Sequence, residues 1–252
     1  MEGATSDFYE ALADHYHLIF EDWDKSIARQ AAVLNPLLFS VLQRTPVKVL
    51  DCACGIGTQA IGFAQAGHRV VASDLSPAAV ARARHEADLR GLAIPFAVSD
   101  MTSLAEIADS DFDAVVALDN AFPHLKPGQL TQATQAMASK LKPHGMLMAS
   151  IRDYDRLIVE RPTVQGPAFY GTTGNRRIVH QVWDWLNGEQ YAVHMFITLE
   201  ADGMWRSHHF ASMYRAVLRE ELTMALRDSG FGQVRWLMPQ ESGFYQPVVI
   251  AR

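Results

Sequence analysis

The sequence is poor in cysteine, with only Cys52 and Cys54 among its 252 residues. Because they stand two positions apart, a disulfide between them would be strained, and no neighbouring ligands complete a metal site with them. A disulfide framework is therefore excluded. We expect both thiols to be reduced and buried, since free cysteine packs as a small apolar residue.

Long apolar runs, basic clusters and a leader-like start are also absent. No segment approaches membrane-spanning length, no Lys/Arg-rich block occurs, and the first residues lack a basic region followed by an apolar one. The formal charge is −6, from 22 Lys and Arg against 28 Asp and Glu, which argues against a nucleic-acid-binding surface. These absences predict a cytoplasmic protein that binds neither nucleic acid nor a membrane. The sequence is compatible with a monomer or a homo-oligomer.

Apolar residues are abundant enough to build a core, because 49% of the chain is hydrophobic and 20% is charged. The most informative stretch is VKVLDCACGIGT, at positions 47–58. Its apolar start predicts a buried strand, Gly55 and Gly57 interrupt that strand, and the following TQAIGFAQAG predicts a helix. Glycines let a backbone approach a ligand closely, and a helix start offers unpaired N–H groups. This stretch therefore predicts a ligand cradle.

Two kinds of nucleotide-like ligand fit this cradle. A second apolar run ends at Asp74, whose carboxylate would reach a ribose. Gly55, Gly57 and Ala60 match the G-x-G-x-x-A dinucleotide fingerprint, so a nicotinamide-dependent oxidoreductase is one interpretation. Asp51 precedes the glycine turn, where its negative charge would repel a diphosphate. The same carboxylate suits S-adenosylmethionine, which is cationic and has no phosphate, and the sequence therefore favours that cofactor.

Four separated motifs follow one another along the chain: DCACGIGT at the cradle, SDLS at the end of the second strand, SDM at 99–101 and DNAFPHL at 119–125. Together they resemble the class I S-adenosylmethionine-dependent methyltransferases, and most of all the glycine and sarcosine N-methyltransferase group. The resemblance is close from Tyr9 to Leu157 and weak beyond it. It implies an α/β fold with a doubly wound, seven-stranded and mostly parallel Rossmann-like sheet, S-adenosylmethionine as cofactor, and a small-molecule acceptor.

Strands and helices alternate as far as about residue 151, which predicts a parallel sheet with its ligands beyond the carboxyl edge. The sequence pattern then changes. A Pro/Gly-rich loop at 161–177 precedes three strands of alternating apolar and polar residues, with hairpin turns at Asn187-Gly188 and Asp202-Gly203. We predict a single methyltransferase domain over 1–252. Its parts are an N-terminal helical lid (1–45), a cofactor-binding core (46–153), an antiparallel β insertion after strand five (154–216), and a return to the core sheet (217–252).

The resemblance also implies how the cofactor is held. In the related N-methyltransferases the region before the cradle supplies a tyrosine near the sulfonium and an arginine to the donor's carboxylate, and Tyr16 and Arg29 are the candidates here. Asp100 and Met101 match the family's adenine contacts, a carboxylate for the exocyclic amine and an apolar neighbour for the ring. The predicted cofactor-binding set is Tyr16, Arg29, Asp51, Ala53, Gly55, Gly57, Asp74, Leu75, Asp100, Met101, Leu118 and Asp119.

Acceptor chemistry rests on four predicted catalytic residues, namely Tyr16, Asn120, His124 and Arg152. By resemblance, Asn120 contacts a small amine and Arg152 grips its carboxylate, for which a guanidinium fork is suited. His124 could remove the amine proton, and the face of Tyr16 could hold the cationic methyl. The predicted reaction is N-methylation of an amino acid or another carboxylate-bearing amine by in-line displacement.

Several alternatives stay open. Arg152 could instead form a surface ion pair with Asp153 or Asp155, and the protein could be a small-molecule O-methyltransferase or a non-catalytic binding module. Aromatic residues in the insertion would suit an acceptor larger than glycine. The histidines of the insertion could meet across its hairpins, but without a carboxylate or an HxH pattern they predict no metal site. They are His180, His194, His208 and His209.

Overall fold

The computed structural model of the chain describes residues 8–252. The first seven residues of the predicted lid lie outside this range. The strands are β1 (Lys48–Asp51), β2 (Arg69–Asp74), β3 (Phe96–Val98), β4 (Phe112–Ala117), β5 (Leu141–Ser150), β6 (Val164–Tyr170), β7 (Arg177–Trp185), β8 (Gln190–Ala201), β9 (Met204–Arg215), β10 (Val234–Leu237) and β11 (Val248–Ala251).

Helices connect these strands, and local sequence explains where several of them begin. Asp22 and Ser76 each precede a helix and accept hydrogen bonds from the backbone N–H groups of Lys25 and Ala79, and Pro77 fills the first position of its helix. Residues 8–12 are helical, and short 3-10 turns lie at Tyr16–Ile19 and Phe122–His124. The α-helices are Trp23–Leu42, Thr58–Gln65, Pro77–Leu89, Gln129–Lys140, Tyr154–Glu160, Arg219–Asp228 and Pro239–Ser242.

Seven strands form one sheet in the order β10-β11-β5-β4-β1-β2-β3. β1 pairs in parallel with β2 and with β4, while β11 runs antiparallel to both β5 and β10. All six residues of β4 are buried, because helices cover both faces of a sheet of this kind. The predicted doubly wound, seven-stranded and mostly parallel sheet is confirmed.

A second, antiparallel sheet has the order β6-β7-β8-β9 and follows strand five, as predicted. The prediction of a loop at 161–177 is wrong, because this segment contains β6. The sequence there looked like a loop because it carries Gly166 and Pro167, and the pairing with β7 shifts register between Gln165 and Ala168. Proline is tolerated in β6 because it is an edge strand. The helix Tyr154–Glu160 lies at the start of the predicted insertion, before its first strand.

The inner face of the antiparallel sheet packs on the carboxyl edge of the main sheet. Trp183, Tyr191 and Tyr214 join the core that contains β4 and β5. Further along the same face, Phe210 packs with Phe8 and with other residues of the N-terminal segment. The insertion and the N-terminal segment therefore enclose the edge where the predicted site residues lie. Within residues 8–252 no helix is both long and apolar enough to cross a membrane.

Candidate functional site

The glycine turn between β1 and the next helix requires its glycines. Gly55 and Gly57 have φ of 52° and 95°, in the left-handed region where side chains are unfavourable. A Cβ on Gly57 would also lie 3.2 Å from Ile61 and 3.3 Å from Ala83. Gly57 is thus buried against the following helices, where it shapes the turn, and it does not line the cavity that the turn borders.

Asp51 ends β1 behind this turn and is only 1% exposed. Its Oδ1 lies 3.4 Å from the backbone N of Ala53, and Oδ2 has no hydrogen-bond partner among the residues that the structure describes. Burial, aided by the charge of Asp74, raises the pKa of Asp51 to about 7. A buried carboxylate oxygen without a partner is costly. A cationic ligand group at this position would compensate for that cost.

Asp74 fastens the end of β2 to the glycine turn. Its Oδ2 accepts a hydrogen bond from the backbone N–H of Gly55 at 2.8 Å, and its Oδ1 accepts one from Ser76 at 3.0 Å. Burial raises the pKa of this carboxyl group as well. A carboxylate can accept about four hydrogen bonds, so Asp74 retains capacity for the hydroxyl groups of a ligand.

A cavity opens above the turn and brings most of the predicted cofactor residues together. We call it the first cavity. At one end Asp100 accepts hydrogen bonds through Oδ1 from the backbone and side chain of Thr102, and Met101 packs beside it. The predicted residues that line it are Tyr16, Ala53, Gly55, Asp74, Leu75, Asp100, Met101, Leu118 and Asp119, and His124 lines it too.

After β4 the backbone adopts two consecutive left-handed residues, Asp119 and Asn120, with φ of 57° and 72°. Their N–H groups donate to the side chain and the carbonyl of Ser150, at 2.8 and 3.1 Å. The Asn120 side-chain oxygen accepts from the backbone of Arg152 and from the hydroxyl of Tyr154, at 3.0 and 3.1 Å. Its Nδ2 is buried and has no partner in residues 8–252. Strained non-glycine backbone of this kind concentrates at functional sites.

A second cavity adjoins the first, and Asp119 borders both. It lies between the carboxyl edge of the main sheet, the helix Trp23–Leu42 and the insertion. Arg152 projects into it from the segment after β5. The side chains that line it also include Phe20, Arg29, Arg156, Gln181, Trp183, Tyr245 and Gln246. Arg29 lines this second cavity, which adjoins the first, and its contact with the donor's carboxylate stays a prediction.

Arg152 is held by neutral partners. Nη1 donates to the hydroxyl of Tyr191 at 3.1 Å and Nη2 to the side-chain oxygen of Gln181 at 3.5 Å. Its guanidinium lies over the rings of Trp183 and Tyr214, at 4.8 and 5.4 Å from their centres. No carboxylate within residues 8–252 forms an ion pair with it.

The alternative of a surface ion pair for Arg152 is wrong. Arg219 takes both candidate partners, with distances of 2.7 Å to Asp153 and 3.3 Å to Asp155. Arg152 is therefore available to a ligand of the second cavity.

Tyr9 is a residue of the first cavity that the sequence did not single out. Its hydroxyl lies 2.9 Å from Nε2 of His124, and its ring stacks on that of Tyr16. Burial, aided by the charge of Arg152, lowers the pKa of His124 to about 3. The imidazole is therefore neutral at physiological pH. The seven-residue spacing between Tyr9 and Tyr16, close to two helical turns, is the signal that could have identified Tyr9.

The remaining candidates for metal chemistry have other contacts. Cys52 and Cys54 are free and buried, as predicted. On the insertion, His194 contacts His209 at 3.0 Å and Asp184 at 3.2 Å. No group of three or more His, Cys, Asp or Glu residues in the described part of the chain is arranged to hold a metal ion.

The sheet order, the glycine turn and the acidic residue at the end of β2 are those of the Rossmann-like methyltransferase fold. Residues 49–145 match the family described as methyltransferase domain.

Among curated proteins, the chain is 33% identical over 154 residues to the glycine/sarcosine N-methyltransferase of Parasynechococcus marenigrum strain WH8102. The match covers 58% of this chain and 55% of that protein. The chain thus spans little more than half the length of the curated relatives it matches.

Two solved structures share the fold over nearly their whole length. DesVI of Streptomyces venezuelae is 21% identical, with a TM-score of 0.76 and coverage of 95% of this chain and 97% of DesVI. CalS10, an amino pentose methyltransferase from Micromonospora echinaspora solved with S-adenosylmethionine bound, is also 21% identical. Its TM-score is 0.72, with coverage of 90% and 91%.

Proposed function

We propose that this chain transfers the methyl group of S-adenosylmethionine to the nitrogen of a small, carboxylate-bearing amine. The observation that carries the proposal is the meeting of two cavities at Asp119. The first has the carboxylates and apolar residues that suit a cationic nucleoside. The second contains the guanidinium of Arg152 with no anionic partner among the described residues.

The first cavity fits S-adenosylmethionine by its donor and acceptor groups. The unpartnered Oδ2 of Asp51 would receive the amino group of the cofactor, and Asp74 would receive the ribose hydroxyls. Asp100 and Met101 would take the adenine amine and ring. When bound, S-adenosylmethionine supplies an electrophilic methyl group on a positively charged sulfur.

Tyr16 and Tyr9 would enclose the reacting centre. Both rings are half-buried, line the first cavity and stack with centroids 6.3 Å apart. The face of an aromatic ring attracts a cation, so Tyr16 would favour the sulfonium. The two rings would also exclude water, which strengthens the electrostatic contacts of the site.

Arg152 and Asn120 would position the acceptor. The present partners of Arg152 are neutral oxygens, so an acceptor carboxylate would be the stronger, charge-assisted partner. The unpartnered Nδ2 of Asn120 would be a second donor to the acceptor. Holding donor and acceptor in line is the main contribution that such a site makes to methyl transfer.

Nitrogen is favoured over oxygen because His124, the base that the sequence suggested, is too weak a base here to activate a hydroxyl group. The pKa of His124 is about 3, so its imidazolium would not retain a proton taken from an acceptor at neutral pH. A neutral amine needs no base before attack. We therefore propose that His124 orients groups in the first cavity, in place of the proton removal that the sequence suggested.

The names of three curated relatives support an amino acid as the acceptor, since these three are glycine/sarcosine N-methyltransferases. The test is a mass-spectrometric screen of amino acids, other amines and phenols for a gain of one methyl group in the presence of S-adenosylmethionine. We expect products from carboxylate-bearing amines, with S-adenosylhomocysteine formed in equal amount. Methylation of phenols alone would indicate an O-methyltransferase, and cofactor binding without any product would indicate a binding module.

A further inference from the structure

Asp119 has a position that no other described residue shares, because it alone among residues 8–252 lines both cavities. Methyl transfer brings the donor's methyl carbon and the acceptor's nitrogen into line, so under the proposed function these atoms meet where the two cavities join. A carboxylate at that place lies beside the reacting nitrogen. The sequence grouped Asp119 with the cofactor residues, and its position in the structure adds the acceptor.

The carboxylate of Asp119 is oriented by two residues of the second cavity. Its Oδ1 accepts hydrogen bonds from the hydroxyl of Tyr245 and, at 3.3 Å, from the side chain of Gln246. Both donors line the second cavity and neither lines the first. The backbone N–H of Asp119 donates separately to the side chain of Ser150 at 2.8 Å. The side chain is therefore held in place before a ligand binds.

The other carboxylate oxygen of Asp119, Oδ2, is available to a ligand. It accepts no hydrogen bond from residues 8–252, and no basic side chain in that range forms an ion pair with it. Asp153, the other carboxylate that lines the second cavity, pairs with Arg219 at 2.7 Å. Within the described part of the chain, Asp119 is thus the carboxylate of the second cavity that can receive a cationic group.

Asp119 and Arg152 present opposite charges to the same cavity without an ion pair between them. Burial raises the pKa of Asp119, against the opposing effects of the Tyr245 hydroxyl and of the Arg152 charge. An amino acid carries the two complementary charges, an ammonium and a carboxylate. Because opposite charges attract most strongly where water is excluded, this arrangement suits a zwitterionic acceptor with its ammonium at Asp119 and its carboxylate at Arg152.

Such an acceptor must lose a proton before it can be methylated. α-Amino and lysine-type groups have pKa values of about 8 and about 10, so the amine arrives mostly as an ammonium ion, whose nitrogen has no free electron pair. His124 does not retain a proton at neutral pH, because burial lowers its pKa to about 3. Burial acts in the opposite direction on Asp119 and makes its carboxylate a better proton acceptor than an exposed aspartate.

We infer that Asp119 binds the ammonium group of the acceptor and takes the proton that this group loses before methyl transfer. This inference rests on the proposed function, because it takes the second cavity to be the acceptor site. The N–H bond breaks with its electron pair left on nitrogen, and the proton passes to Oδ2. That pair then forms the bond to the methyl carbon while the S–CH3 bond breaks and its electrons return to sulfur. The proton on Asp119 leaves to solvent with the products.

Binding of matched acid pairs tests the contact with the ammonium group. The pairs are glycine with glycolate and L-phenylalanine with L-phenyllactate, whose members differ only in an amino or a hydroxyl group. Each is titrated by calorimetry into protein saturated with S-adenosylhomocysteine, so that no reaction occurs. We expect the amino acid to bind at least about tenfold more tightly in one pair or both. Asp119→Asn should reduce this preference to about twofold or less, because asparagine keeps the shape but not the charge.

The pH profile of turnover tests the proton transfer, with an amine that the screen shows to be methylated. At about pH 7.5, Asp119→Asn should lower kcat/KM by about 100-fold, a usual contribution of a general base. The variant should recover by about tenfold for each pH unit until the pKa of the amine is reached, because it can use only amine that is already neutral in solution. The wild type should stay nearly constant over the same range.

Two further variants complete the test. Asp155→Asn is the matched control, because Asp155 is also half-buried but lines neither cavity and pairs with Arg219 at 3.3 Å. It should leave the binding preference and the pH profile unchanged. Tyr245→Phe removes a hydrogen bond that lowers the pKa of Asp119, so the acidic limb of its pH profile should move to higher pH. This variant keeps the charge of Asp119 and gives an answer even where Asp119→Asn fails to fold.

Four results would overturn the inference: equal affinity for the two members of both pairs, no binding of any probe, an unchanged preference in Asp119→Asn, or a loss of activity in that variant that is the same at every pH. A loss of S-adenosylhomocysteine affinity in Asp119→Asn would assign the carboxylate to the cofactor instead. Failure of the proposed function is separate. It would appear as an absence of methylated amine in the screen, and the proton transfer would fall with it, whereas the acid pairs decide the ammonium contact without any turnover.

Discussion

The side-chain oxygen of Asn120 accepts a hydrogen bond from the backbone N–H of Arg152 at 3.0 Å. This contact joins the segments that follow β4 and β5, the two strands whose ends border the second cavity. Because the same oxygen also accepts from Tyr154 at 3.1 Å, Asn120 fixes the position from which Arg152 enters that cavity.

Replacing Asn120 with Ala should therefore affect both stability and activity. Two buried hydrogen bonds would be lost, so the free energy of unfolding should fall by about 1–3 kcal/mol. The acceptor KM should rise, since the backbone of Arg152 would lose the hydrogen bond that positions it. Urea unfolding and steady-state kinetics measure the two effects. An unchanged free energy of unfolding would show that Asn120 does not hold these segments together.

The ionisation of Asp51 should control cofactor binding. Its pKa is about 7 in the free protein, and a cationic amino group would bind its ionised form. The affinity for S-adenosylmethionine should thus be constant above about pH 7 and fall by up to about tenfold for each pH unit below it. Calorimetric titration of the cofactor between about pH 5.5 and about pH 8.5 measures how the affinity changes with pH.

Two variants isolate this effect. At about pH 8, where the wild-type carboxyl group is ionised, Asp51→Asn should bind the cofactor more weakly than the wild type. Its affinity should also no longer depend on pH. Asp74→Asn should keep the dependence but shift it to lower pH, because the charge of Asp74 helps to raise the pKa of Asp51. A slope that persists in Asp51→Asn would assign the titration to another group.

Arg152→Lys should raise the acceptor KM by about tenfold or more while leaving cofactor affinity unchanged. Lysine keeps the charge but cannot form a bidentate pair with a carboxylate. Tyr191→Phe is the matched control, because it removes one partner of the guanidinium at 3.1 Å and leaves the fork itself intact. Equal effects of the two variants on KM would argue against a direct contact between Arg152 and the acceptor.

His124 should stay neutral through the physiological range. Its pKa is about 3 in the folded protein and about 6.5 in an unfolded chain. Acid therefore protonates the unfolded state first, and the free energy of unfolding should decrease as the pH falls from about 6.5 towards 3. NMR titration of the imidazole should show no inflection between about pH 5 and 8. An inflection near neutrality would restore the base hypothesis.

Tyr9→Phe should lower kcat by about threefold to tenfold, because it removes the hydroxyl that holds His124 while keeping the ring that stacks on Tyr16. If the hydroxyl acts only by orienting His124, the pH profile of kcat/KM should keep its shape. A new ionisation step in the variant would show instead that Tyr9 takes part in proton transfer.

The sequence by itself determined the main sheet and most of the first cavity. Gly55, Gly57 and Asp74 are close in sequence, and a strand, a glycine turn and a following strand bring them together through local geometry alone. Parallel strands also place their carboxyl ends at one edge, so Asp100 and Asn120 could be assigned to that edge before any contact was known.

Tertiary structure alone decided the rest. Tyr9 and His124 are 115 residues apart, Arg152 receives its aromatic partners from β7 and β9, and Arg29 lines the second cavity. These relationships depend on how the insertion and the N-terminal segment pack on the sheet edge, which periodicity does not encode. A sequence pattern specifies which face of an element is buried, but the packing of distant elements decides which side chains meet there.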